Sequence, residues 1–168
     1  LVVCRDEVLR RGQGVRRRAD RGREVTLGGR PGELDVLTGV DAVAAHERDV
    51  EAGGLIIEDA PKRYALNNGV LTPSDELFAD DALVLEDSQA DEISLTGPDE
   101  KPYLTVTGDT PLVGIWSPAG KSAPFVCIEP WYGRCDSAHY KGEYKNKDWM
   151  QHLIPGEVFN GGYTIDIR

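Results

Sequence analysis

The sequence has no apolar run of about 18 residues, the length that a membrane-spanning helix requires. Cysteine is scarce. Cys4, Cys127 and Cys135 are an odd set with no dense framework, which points to a reducing cytoplasm. Cys127, Cys135 and His139 lack zinc-finger spacing, so no metal site is expected, and Cys127 reads as a small buried hydrophobe. Positive charge is short as well: 19 basic residues face 29 acidic ones, for a net charge of −10. That balance argues against nucleic acid and against an anionic membrane as partners. The opening Leu1–Asp6 is charged too soon for a secretory signal. Gly161-Gly162 has no phosphate-loop context and reads as a turn.

Residues 1–50 lack lysine, aromatics, isoleucine and asparagine altogether. They hold ten arginines against nine acids, a net +1, which leaves −11 for residues 51–168. A shift of that kind marks a boundary, set here between residues 52 and 53. Three readings of residues 1–52 are open. They form a basic arm for an acidic partner, or a lead-in too poor in aromatics to pack. Or they carry a sequence foreign to the parent domain, as a reading-frame error would produce.

From Gly53 onward short apolar runs recur about every ten residues, with Gly and Pro turns between them. Leu55-Ile56-Ile57, Arg63–Leu66, Ala82–Leu85 and Leu112–Trp116 read as strands, the last two as buried ones. Asn67-Asn68-Gly69 is a turn signal. Leu71–Phe78 reads as one helical turn with Ser74 as its cap and Leu77 reaching the core. Ile93-Ser94-Leu95 and Tyr103–Thr107 alternate as half-exposed antiparallel strands do. Asp148–Leu153 predicts a short turn of helix, and Tyr163–Ile167 closes with period-two alternation. The pattern is all-β, an antiparallel sandwich or barrel.

The most informative stretch is Pro124–Asp136, P-F-V-C-I-E-P-W-Y-G-R-C-D. Phe125–Ile128 is a buried strand by composition. Glu129 follows, a carboxylate that is costly there unless it is bonded or used. Pro130 cannot extend a ladder, so the backbone is expected to leave the sheet there. Glu129 would then stand at a strand end beside Trp131 and Tyr132, an acid with an aromatic platform suited to a sugar. The bland alternative is a strand-end carboxylate paired with Arg134. Asp81 is either a hydroxyl-binding acid or a turn acid. Of Trp116, Trp131 and Trp149, at most one is expected to touch sugar, the rest being core. His139 and His152 read as solvent-facing.

Four blocks in order, N-N-G-V-L-T-P-S-D-E-L-F-A-D-D-A-L-V-L-E-D (Asn67–Asp87), L-V-G-I-W-S-P-A-G (Leu112–Gly120), the stretch above, and K-D-W-M-Q-H-L-I-P-G-E-V-F-N-G-G-Y-T-I-D-I (Lys147–Ile167), resemble the C-terminal half of the aldose 1-epimerase (galactose mutarotase) family, in its bacterial mutarotase-related branch. The resemblance covers residues 53–168. It implies an incomplete antiparallel β-sandwich that interconverts α and β anomers of a hexose by acid–base ring opening, without metal or cofactor. It assigns the base to Glu129; Asp81 and Trp131 are the candidate hexose contacts from the residues themselves. It also implies an acid histidine upstream, in a G-G-H-P motif. The nearest string is Leu27–Gly32, with Arg30 where the histidine would stand, and His46 has no motif around it. A guanidinium cannot donate and recover a proton near neutral pH, so activity is expected to be impaired. A non-catalytic carbohydrate-binding sandwich, or an interaction scaffold, is the alternative. An incomplete sandwich also exposes sheet edges, through which oligomers can form.

Overall fold

The computed structural model describes residues 2–4, 24–28, 36–37, 42–49, 54–56, 61–66, 69–97, 101–121 and 125–168; for residues 2–49 the description is of strand backbone and its pairing. Gly29–Gly32, Asn67-Asn68 and Pro124 fall outside it.

Among the described residues the elements are almost entirely strands: β1 (Val2–Cys4), β2 (Glu24–Gly28), β3 (Val36–Leu37), β4 (Ala42–Asp49), β5 (Leu55–Ile56), β6 (Lys62–Ala65), β7 (Val70–Leu71), β8 (Leu83–Leu85), β9 (Glu92–Thr96), β10 (Pro102–Gly108), β11 (Leu112–Trp116), β12 (Phe125–Trp131) and β13 (Tyr163–Ile167). One sheet runs β1-β12-β11-β8-β4-β5, with β6 also on β4. The second runs β13-β10-β9-β2-β7-β3. Most pairs are antiparallel, while β2 runs parallel to β7 and β9.

Period-two alternation decides what each sheet buries. Leu83 and Leu85, Val113 and Ile115, and Val126 and Ile128 point from the first sheet into one core. Ile93, Leu95, Leu104 and Val106 meet them from the second. This is an all-β sandwich, as the strand pattern implies. Leu71, Phe78 and Ala90 complete the core from connecting segments. The Ser74 hydroxyl accepts from the Leu77 N–H at 3.1 Å, and Leu77 packs on the core. Bonds from its own backbone and from Ser74 hold the Glu76 carboxyl below the usual carboxylate range.

Two expectations need correction. β9 and β10 are not half-exposed, because Ser94 and Thr105 are buried on the face opposite the apolar residues. Their hydroxyls satisfy each other across the ladder at 2.7 Å, which is why polar residues tolerate the site. Ser94→Ala should therefore cost roughly 1–3 kcal/mol, since Thr105 loses its buried partner. The double variant Ser94→Ala/Thr105→Val should recover most of that in urea melts. Second, Asp148–Leu153 forms no helix; a 3-10 turn lies earlier, at Tyr144–Asn146, and only a hydrogen-bonded turn follows at Asp148-Trp149. Trp149 has φ +60°, which a continuing helix cannot accommodate.

Candidate functional site

Glu129 lies within β12, not at its end. The strand continues through Pro130, opposite Val113, to Trp131, opposite Leu112. The expectation that the chain leaves the sheet at Pro130 is thus corrected, and the reason is local. Alternate residues of an antiparallel ladder point their N–H away from the partner strand, so a proline opposite Val113 removes no bond to β11. On the other flank β1 covers only Phe125–Cys127.

Because Val126 and Ile128 face the core, Cys127, Glu129 and Trp131 face the opposite way. That outer face has its own apolar patch of Ile56, Val84 and Leu112, with Trp131, Cys135 and Trp149 packed on it. Backbone register runs one row across four strands, from His46 in β4 through Val84 and Gly114 to Glu129. Glycine at 114 matters. A Cβ built there would sit 2.7 Å from Trp131 Cζ2 and 3.0 Å from Cη2, so the indole lies over the bare backbone beside Glu129. Gly114→Ala should push the indole off the sheet at a cost of about 1–3 kcal/mol. A shifted tryptophan emission together with a lowered melting point would show it.

Glu129 itself is half-buried and makes no side-chain hydrogen bond or ion pair with any described residue. The pairing with Arg134 does not form. Arg134 is committed elsewhere: its Nε donates to Glu86 Oε1, Nη1 to the Cys135 carbonyl at 3.1 Å, and Nη2 to Asp148 Oδ2 at 3.3 Å. Glu86, which follows β8 directly, also accepts from Trp149 Nε1 at 2.9 Å. The Arg134 and Glu86 side chains are only 7% and 13% exposed. This cluster ties the segment after β12 down to the end of β8. A second tie joins Ile56 and the 136–138 backbone, with bonds of 3.0 Å and 2.8 Å. Lys147 Nζ holds Asp136 Oδ1 at 2.7 Å.

Next to Trp131 a cavity of about 560 Å³ opens, walled by Pro130, Tyr132, Arg134, Tyr144 and Lys147 among others. Trp131 is thus shared between the Glu129 face and this cavity, whereas Trp149 is packed on the apolar patch as a structural residue. Trp116 stacks obliquely on Phe125, with ring centroids 6.3 Å apart. Asp81 is not brought against Glu129. It precedes β8 by two residues, whereas the row to Glu129 crosses at Val84, two strands over. Strand spacings place the two backbones on the order of 14 Å apart, with Asp81 and Trp131 on opposite sides of the row. Asp81 has φ +101°, a strained value for a residue with a side chain. His139 and His152 are exposed in loops. Among the described residues no three His, Cys, Asp or Glu side chains converge to hold a metal.

Two solved structures share this fold. A galactose mutarotase related enzyme from Lactobacillus acidophilus superposes with a TM-score of 0.59 at 24% identity, over 81% of this chain. The fold is galactose mutarotase-like. A second such structure, a galactose mutarotase-like protein from Lactobacillus casei, gives 0.56 at 19% identity over 79% of this chain. The chain spans 56% and 50% of those two mutarotase-like chains, about half of each. No family model and no curated protein matches it. No helix among the described residues is long and apolar enough to cross a membrane.

The residues that sequence reasoning missed are Glu86 and Gly114. Glu86 follows an apolar run in the sequence just as Glu129 does, which was a usable signal. Nothing in the sequence singles out Gly114, whose partner Trp131 is known only from register.

Proposed function

We propose that this chain is an aldose 1-epimerase-like protein that binds a hexose beside Glu129 and interconverts its α and β anomers by ring opening. The observation that carries the reading is Glu129: a half-buried carboxylate on an apolar strand, without a protein partner among the described residues, beside an indole laid over a glycine. A carboxylate in such a place is costly unless a ligand uses it. Glu129 takes the proton of the anomeric hydroxyl, the ring C–O bond breaks, and a general acid protonates the ring oxygen. Rotation about C1–C2 and reclosure give the other anomer. Trp131 stacks on the C–H face of the ring, while Asp81 lies too far from Glu129 to share that hexose. These are proton transfers and need no cofactor. The name of the L. acidophilus protein supports the same chemistry.

The general acid has no assigned residue, so the rate is expected to be well below that of a complete acid–base pair. This favours a second reading, a non-catalytic carbohydrate-binding sandwich. The two histidines with described side chains, His139 and His152, are exposed and lie outside the β12 row. In both readings residues 53–168 carry the site and the partner is a small sugar. A cytoplasmic location fits Cys127 and Cys135, neither of which is in a disulfide.

Titrating galactose and glucose while following tryptophan emission, and measuring anomer exchange by NMR on the same samples, tests both. Emission change with exchange above the buffer rate supports the epimerase. Emission change without exchange supports the binding module, and neither signal would overturn both.

A further inference from the structure

The second sheet ends at β13, whose five residues pair with β10 on one side. No described residue pairs with its other side. Register and one terminal bond reveal what that free side offers. The Arg168 N–H donates to the Tyr103 carbonyl at 3.0 Å, which continues the β10–β13 register. Bonded and non-bonded pairs alternate along an antiparallel ladder. Thr164 and Asp166 therefore bond β10, while Tyr163, Ile165 and Ile167 turn their N–H and C=O groups outward.

The same three residues oppose Gly108, Val106 and Leu104, and the last two face the core. Their side chains thus belong to the inner side of the sheet, yet Tyr163 is 50% and Ile167 47% exposed. Val158 and Phe159, shortly before β13, are exposed as well, and Phe159 is braced edge-on against Tyr132. A free edge with an apolar inner side, and with neither proline nor lysine in β13 to blunt it, favours strand addition.

We propose that a second copy of this chain occupies this edge, β13 pairing antiparallel with β13 about a two-fold axis through Ile165. The strand is self-complementary in that register and in no neighbouring one. Centred on Ile165, Tyr163 meets Ile167 of the other copy twice, and all three outward residues of each strand are bonded. Thr164 then lies opposite Asp166, so no like charges face each other. Centring on Asp166 would oppose two carboxylates, and centring on Thr164 would leave Ile167 beyond the partner strand. The two-fold places both inner sides together, so the half-covered Tyr163 and Ile167 of both copies form one apolar strip. The contact is isologous and closes on itself, which predicts a dimer rather than a fibre.

The full chain in 0.15 M salt, run by sedimentation velocity at rising concentration, should show a monomer–dimer equilibrium. Tyr163→Lys/Ile167→Lys should shift it at least tenfold toward monomer, because both side chains are half-exposed in the monomer and four new charges meet at one seam. Circular dichroism checks that this variant still folds. Amide hydrogen exchange on the unmodified chain reads the register without a mutation. Tyr163, Ile165 and Ile167 amides should gain protection as the dimer forms, while Thr164 and Asp166 stay unchanged. A monomer at all concentrations, a dimer indifferent to the double variant, open-ended polymers, or unprotected odd-numbered amides would each overturn the proposal.

Discussion

Glu129→Gln should remove whatever anomer exchange the proposed site supplies, while leaving the sandwich intact. The amide keeps the shape of the side chain and can still bond a hydroxyl, but it cannot take a proton. General-base assistance is worth roughly 10²–10⁴-fold, so exchange should fall to the buffer rate. Stability should hardly move, since Glu129 makes no bond with any described residue that the change would break. Sugar affinity measured by tryptophan emission should change little more than twofold, because Trp131 remains over Gly114. An unchanged exchange rate in this variant would remove Glu129 from the chemistry. A large fall in melting temperature would instead make it a structural residue.

Arg134→Ala should have the largest effect on stability, at about 3–5 kcal/mol. The loss follows from what is stranded. Glu86 is 13% exposed and would lose the guanidinium that faces its charge, the Trp149 N–H remaining beside it. The Asp148 contact adds little, because that carboxylate is 66% exposed and water screens it. A cost of that size is a large share of the roughly 5–15 kcal/mol that holds a domain together. Urea melts should show an early midpoint. Arg134→Lys should rescue only in part, since one ammonium cannot serve Glu86, the Cys135 carbonyl and Asp148 with a planar fork. Removing both charges, as Glu86→Gln/Arg134→Met, should cost less than Arg134→Ala alone. A loss below about 1 kcal/mol would mean that the cluster is solvated and does not anchor the segment after β12.

The elements most legible in the sequence are the continuous apolar runs, buried on both faces, and the clean alternation at residues 163–167. Leu83–Leu85, Leu112–Trp116 and Tyr163–Ile167 appear where their composition places them, and so does the Ser74 cap. Alternation misled at Ser94 and Thr105. A polar residue in a strand pattern reads as solvent-facing, and only a cross-strand partner eleven residues away shows otherwise. Pro130 misled for a related reason. Whether a proline ends a strand depends on which neighbour its missing N–H would have met, and that is a property of the sheet. Glu129 stands out in the sequence because an acid directly after four apolar residues is anomalous by itself. The Glu86–Arg134–Trp149 cluster was not, since its members stand 48 and 63 positions apart in the chain. Trp131 could be named as a platform candidate, but its seat over Gly114 needed the β11–β12 register.

Pro130 also has a consequence for what can reach the site. An extended peptide that sought to lengthen β1 along the flank of β12 would find its last available donor at Ile128. Beyond it the ring of Pro130 offers no hydrogen and shields the backbone. A polypeptide therefore gains nothing by creeping along that rim, while a small, freely tumbling solute needs no ladder to enter. The flank next to Glu129 and Trp131 thus offers no ladder along which a strand could lengthen β1 past Ile128.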